Sequence, residues 1–327
     1  MENVRIGIVG TNFISDWFAE AARGVDGVEI SAVFSRNIDT GNAFAAKYGI
    51  KKVYTDYGEL IFDKDIDGIY VASPTVCHKE HAKKAIEGGK SVLCEKMICE
   101  GLKSFLEISS LSRNRGVVLL EAMRPLFDPA YDVVSNYISR IGKVRRASLV
   151  YCQYSSRYDK FKSGVIENAF RTAMKNSALA DIGIYPLNTA VRLFGEPLDI
   201  TSRSVFLDNG FEGAGIALLN YGEFITSVSY SKINDSCDPS LIEGEDGAVY
   251  IDKISSPTSV RLVMRDGREE QRSFSPGPTN MVYEIEAFRD MVRGVRDYLP
   301  YLDHTEAVMR CVDRIYESSG VTFPREE

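Results

Sequence analysis

The chain has little that would tie it to metal, nucleic acid or membrane. It carries only three histidines. Two of them, His78 and His81, share one short segment with no carboxylate or cysteine at a ligand-like spacing, so metal ligation is not expected. The six cysteines, at positions 77, 94, 99, 152, 237 and 311, include no C-x-x-C pair and read as reduced thiols. No basic tract is present, and a net charge of −7 with a pI near 5.3 argues against a nucleic-acid partner. No apolar run is long enough to span a membrane, and the one after Met1 is too short for a signal-peptide core. The expectation is a cytoplasmic protein. Internal repeats and low-complexity segments are also missing.

What is present is 327 residues, 44% of them hydrophobic, enough for two domains with filled cores. The first third alternates strands and helices. Apolar strands are expected at Arg5–Val9, Val28–Phe34, Gly68–Ser73, Ser91–Cys94 and Val117–Ala122, with helical periodicity between them. Continuous apolar strands separated by helices indicate a parallel sheet covered on both faces. The fold class is therefore α/β: a Rossmann domain over residues 1–123, then an α+β domain over 124–327 with an open, mainly antiparallel sheet. In that second part, strand-like runs such as Arg146–Tyr154, Ala214–Asn220 and Phe224–Ser231 follow one another without intervening helices. Along Phe224–Ser231 one face carries Phe224, Thr226, Val228 and Tyr230. The other carries Ile225, Ser227, Ser229 and Ser231, small enough to meet another sheet. Two helices are expected near Met281–Arg293 and His304–Ser318.

Ligands of an open parallel sheet sit beyond the carboxyl ends of its strands. After the first strand the usual G-x-G-x-x-G/A turn appears here as Gly10, Asn12 and Ser15. Asn tolerates positive φ better than most residues, and its amide can donate to a phosphate, so the turn reads as modified, with a pyrophosphate still at the helix N-terminus. Strand two ends in Ser35-Arg36 where an NAD site would have Asp or Glu. A hydroxyl and a guanidinium suit a 2′-phosphate, the alternative being a solvated arginine. Lys96 follows a buried strand and either snorkels to solvent or faces a substrate carbonyl. In the second domain, Asp181 and Tyr185 are four apart and share a helix face, as a proton-transfer pair or a structural one.

The order of "SPTVCH" (73–78), "GGKSVLCEK" (88–96), "EAMR" (121–124), "ALADIGIY" (178–185), "VRLFGEP" (191–197) and "EIEAF" (284–288) resembles the glucose–fructose oxidoreductase / inositol dehydrogenase / rhizopine-catabolism (Gfo/Idh/MocA) family over nearly the whole chain. The resemblance implies NAD(P)-dependent redox chemistry on sugars, polyols and related carbonyls. It implies that Lys96, in the position of the family's "EKP" lysine, is catalytic. It also implies that Asp181 and Tyr185, matching D-x-G-x-H/Y, complete the catalytic set. The branch with Tyr, which includes dimeric dihydrodiol dehydrogenase, favours NADP, in agreement with Ser35-Arg36; NAD is the other possible cofactor. Expected cofactor contacts are Gly10, Asn12, Phe13 and Ile14 at the first turn, then Ser35 and Arg36. Ser73, Pro74, Thr75, His78, Glu95 and Lys96 follow at the later strand ends. Met97 replaces the proline of "EKP", and a trans Lys96–Met97 peptide is expected.

The function expected is an NADP-dependent oxidoreductase acting on a secondary alcohol or carbonyl of a sugar, polyol or cyclic diol. Lys96 would orient and polarise the substrate oxygen, Tyr185 would be the acid in reduction and the base in oxidation, and Asp181 would position the substrate or the lysine. A second reading is a cofactor-binding sensor of the same fold without catalysis. The small-residue sheet face, like the resemblance, implies a homodimer or homotetramer.

Overall fold

The computed structural model describes residues 3–275 and 279–323. By contact the chain divides into two compact units, Met1–Met123 with Gly277–Glu306, and Arg124–Pro276 with Ala307–Glu327.

The first unit contains β1 (Val4–Val9), α1 (Phe13–Ala22), β2 (Val28–Phe34), α2 (Ile38–Tyr48), β3 (Lys52–Tyr54), α3 (Tyr57–Phe62), β4 (Gly68–Val71), α4 (His78–Glu87), β5 (Ser91–Glu95), α5 (Leu102–Arg115) and β6 (Leu119–Ala122). All six strands are parallel, in the order β3-β2-β1-β4-β5-β6. That is the doubly wound order expected of a dinucleotide-binding sheet, with its switch point beside β1. Every residue of β4, β5 and β6 is buried, so these strands read as mostly apolar runs without alternation, β5 and β6 each carrying one buried carboxylate. Asn37 starts α2 by accepting from Asp39 N and Thr40 N, and Gly49 ends it at φ 72°.

The second unit contains α6 (Ala130–Ile138), β7 (Val144–Cys152), α7 (Tyr158–Lys162), α8 (Ile184–Phe194), β8 (Asp199–Phe206), β9 (Glu212–Asn220), β10 (Ile225–Ser231), β11 (Ser240–Gly244), β12 (Gly247–Ile251), β13 (Ser259–Met264) and β14 (Glu269–Ser273). The eight-stranded sheet runs β14-β13-β12-β11-β7-β10-β9-β8. Only the β10–β7 pair is parallel. The expected α/β class, with a parallel and a mainly antiparallel sheet, is what the structure has.

Two helices follow, α9 (Met281–Val292) and α10 (Leu299–Ser319). Sequence reading places 124–327 in one domain; by contact, α9 groups with the first unit, where it packs on α1. No helix among the described residues is long and apolar enough to cross a membrane.

Candidate active site

The first strand end is shaped by Gly10, at φ 106°, where an added Cβ would lie 2.8 Å from Ala72 O. Only glycine fits that turn without strain. Asn12 does not take the positive φ or the phosphate-donor role expected of it. Its φ is −89°, its Oδ1 accepts from Ile14 N and Ser15 N, and its Nδ2 donates to Ala72 O at 2.7 Å. The amide is spent on capping α1 and tying its start to the β4 end. Phe13 is exposed and Ile14 half-buried on the first turn of α1. Ser35 is buried, with its hydroxyl 2.7 Å from Thr40 Oγ1 and accepting from Asn37 N. Arg36 is exposed.

After β4, Ser73, Pro74 and Thr75 form a turn that leads into a short 3-10 segment. His78 is buried there, with Nδ1 2.8 Å from Met97 O and Nε2 2.7 Å from Ser73 O. It thus ties the β4 end to the β5 end, and burial lowers its pKa. His81 lies 2.9 Å from Ser73 Oγ, and burial and the neighbouring His78 charge push it down to about 4, so it is neutral at pH 7. Glu95 is buried and accepts from Tyr70 OH at 2.6 Å. Lys96 is half-buried. The Lys96–Met97 peptide is cis, not trans as expected, and Met97, Ile98 and Cys99 behind it are buried.

Sequence reasoning gave Glu121 no role, yet the loop after Lys96 is held by it. Ile98 N donates to Glu121 Oε1 at 3.0 Å, and Oε2 has no hydrogen-bond partner among the described residues. Burial, with the Glu95 charge adding, pushes the Glu121 carboxyl up from its ordinary 4.5 to about 7. Below 4.5 it is protonated folded or unfolded; between 4.5 and about 7 only the folded chain keeps the proton. Stability therefore falls as pH rises through that window, by on the order of 2–3 kcal/mol. Glu121→Gln is expected to remove this component. Thermal melts across the window should show the variant gaining on the wild type as pH rises, and parallel curves would refute the assignment.

In the second unit, Asp181 and Tyr185 do not sit on one regular helix. Asp181 lies in a π-helical turn, Leu179–Gly183, and Tyr185 in the first turn of α8. The turn presses on the sheet: a Cβ on Gly183 would lie 2.6 Å from the Tyr230 ring. Asp181 Oδ2 pairs with Lys232 Nζ at 2.8 Å, and Lys232 also donates to Ala169 O at 2.8 Å. The Lys232 ammonium is buried over the Phe170 and Phe211 rings, 4.7 and 5.1 Å from their centroids. Tyr185 is 6% exposed. Its hydroxyl accepts from Arg124 Nη2 at 3.2 Å, and its ring meets Tyr151 edge-on. The polar stretch 157–171, which contains α7, is pinned by ring contacts among Tyr158, Phe161 and Phe170.

The model of the oxidoreductase family with an NAD-binding Rossmann fold (Gfo/Idh/MocA) matches residues 4–123. Over 326 residues the chain is 39% identical to scyllo-inositol 2-dehydrogenase (NADP(+)) IolU of Bacillus subtilis, covering 99% of each chain. The chain belongs to this family. Trans-1,2-dihydrobenzene-1,2-diol dehydrogenase of Xenopus laevis is another relative, 28% identical over 339 residues, with 97% of this chain and 98% of that one covered. Among solved structures, the 3-ketoreductase KijD10 from Actinomadura kijaniata, in complex with NADP and TDP-benzene, superposes with a TM-score of 0.86. Its identity is 21% over 97% of this chain and 98% of that one, a likeness of fold.

Proposed function

We propose that this protein is an NADP-dependent oxidoreductase interconverting a secondary alcohol and a carbonyl on a sugar, polyol or cyclic diol. One observation carries this reading: a chain with Lys96, Asp181 and Tyr185 in the motifs of this family is 39% identical, over 99% of its length, to a relative named scyllo-inositol 2-dehydrogenase (NADP(+)). The first unit supports the cofactor. The Gly10 turn leaves no room for a side chain, so backbone can approach a pyrophosphate there, with Phe13 and Ile14 opening α1 beside it. Arg36, exposed at the end of β2, would hold the 2′-phosphate. Ser73, Pro74, Thr75, His78 and Glu95 would line the remaining strand ends.

When bound, the nicotinamide exchanges a hydride with the substrate carbon. Tyr185 gives its hydroxyl proton to the substrate oxygen in reduction and takes it back in oxidation. Lys96 donates a hydrogen bond to the same oxygen and disperses its developing charge. Asp181, paired with Lys232, accepts from a neighbouring substrate hydroxyl rather than positioning Lys96. The test is turnover of scyllo-inositol and other cyclic polyols and diols with NADP+ and with NAD+. NADPH formation on at least one supports the reading, and none across the panel would move the cofactor-binding sensor ahead.

Assembly is the second part of the proposal. On the sheet of the second unit, Ile216, Leu218 and Ile225 are 43%, 46% and 51% exposed, beside half-buried Ser227 and Ser229. In register, Leu218 faces Ser227 and Ile216 faces Ser229, giving a flat apolar patch. Ser231, expected on this face, is buried instead, its hydroxyl bonded to Asn234. We assign the patch to a second copy of this chain: it is apolar, and it is bordered by the Arg146–Glu243 ion pair rather than by charge of one sign, so two copies could meet there through the same face. Light scattering should give at least a dimer at micromolar concentration, and Leu218→Glu should yield monomer. A monomeric wild type would refute it.

A further inference from the structure

The motif "EAMR" ends in an arginine to which the proposed reaction gives no task. Arg124 stands two residues past the end of β6, at the start of a 3-10 turn, and belongs to the second unit. Its Nη2 donates to Tyr185 OH at 3.2 Å, and its Cζ stands 5.5 Å from the Tyr185 ring centroid. Tyr151 closes another side of the ring, edge-on at 5.6 Å. The phenol is thus held by a hydrogen bond, a cation over its ring and an aromatic wall.

The chemistry of the pair is one-directional. A guanidinium has donors only and keeps its charge at any working pH. Tyr185 OH must therefore accept from Arg124, and its single hydrogen is left to point at another acceptor. In reduction that acceptor is the substrate oxygen. In oxidation the oxygen that has to take a proton faces a fixed positive group at hydrogen-bond distance. A lysine offers a donor but neither the planar fork nor the stacking.

We propose that Arg124 is a positioning residue for the reaction, holding the Tyr185 hydroxyl so that its proton is presented to the substrate oxygen. The proposal rests on the assignment of Tyr185 as proton carrier. It moves no atoms of its own: the proton travels between Tyr185 and substrate, and Arg124 stays protonated throughout.

The test is Arg124→Ala, assayed on the fastest substrate of the polyol and diol panel, with and without millimolar guanidinium chloride. Loss of a charge-assisted hydrogen bond predicts a kcat ~10–10²-fold lower. KM should change little, and NADPH should still quench Trp17, the chain's one tryptophan. Added guanidinium should restore kcat at least severalfold, tetramethylammonium should not, and Arg124→Ala/Tyr185→Phe should not be rescued. Arg124→Lys, a gentler change should the alanine variant misfold, should retain activity between those of the wild type and Arg124→Ala. A wild-type kcat in Arg124→Ala, or a folded, slow variant deaf to guanidinium, overturns the proposal. If Tyr185→Phe is inactive while Arg124→Ala is unimpaired, only the role of Arg124 is lost. If Tyr185→Phe turns over like the wild type, or no substrate of the panel reacts, the functional reading fails and this inference with it.

Discussion

Tyr185→Phe is expected to lower kcat by ~10²–10⁴-fold while leaving NADPH affinity nearly unchanged. The variant keeps the ring, and so its edge-on contact with Tyr151, and removes only the oxygen that Arg124 bonds. Lys96→Ala should do comparable damage. Because both groups are assigned to one substrate oxygen, the double variant should be little slower than the slower single. Rate losses that multiply would mean that lysine and tyrosine serve separate steps. The measurement is single-turnover NADPH oxidation at saturating substrate, which excludes product release from the comparison. A Tyr185→Phe enzyme within tenfold of wild type would remove Tyr185 from the proton path.

Cofactor choice should reverse with one side chain. Ser35 already shares its hydroxyl with Thr40 and Asn37, so discrimination at the 2′-phosphate falls on Arg36. A charge-assisted contact of this kind contributes ~1.5–3 kcal/mol, or roughly tenfold to a hundredfold in affinity. Wild type should bind NADPH tighter than NADH by about that factor. Arg36→Asp should bind NADH tighter, since a carboxylate accepts from the ribose hydroxyls and repels the phosphate. Trp17, on α1 and half-exposed, offers the readout through energy transfer to the reduced nicotinamide. Equal affinities for the two cofactors in the wild type would contradict the assignment.

What could be read from the sequence follows burial. The strands at the centre of the parallel sheet are mostly apolar and show no alternation because both faces are covered, and their positions are plain in the residues. β14 was not legible: Glu269–Ser273 is exposed along its whole length, a polar edge strand with neither alternation nor an apolar run. β3 has only three residues, too few to show a period. At the first turn, Asn12 is given by sequence reasoning the conformation of the glycine it replaces. In the structure Gly10 supplies the positive φ, and a side-chain cap serves at Asn12. Spacing joined Asp181 to Tyr185 on one face, and a π-helical turn separates their partners, a feature with no signature in side-chain periodicity.

Lys232 had a signal that went unused. The core-facing positions 224, 226, 228 and 230 continue in parity to 232, so the alternation that marks Tyr230 as buried marks the lysine as buried too. A lysine at such a position needs a partner, and Asp181 is that partner. Glu121 offered a similar hint, as the one carboxylate in an otherwise apolar strand.

Hydride transfer, as opposed to nucleotide binding alone, is directly measurable. The most direct measurement gives the protein NADPH deuterated at nicotinamide C4 together with the ketones of cyclic polyols and diols, and follows the label by mass spectrometry. Wild type should give a reduced product carrying deuterium at the carbinol carbon, and Tyr185→Phe almost none despite equal NADPH binding. Tight NADPH binding with no deuterium reaching any ketone would contradict it.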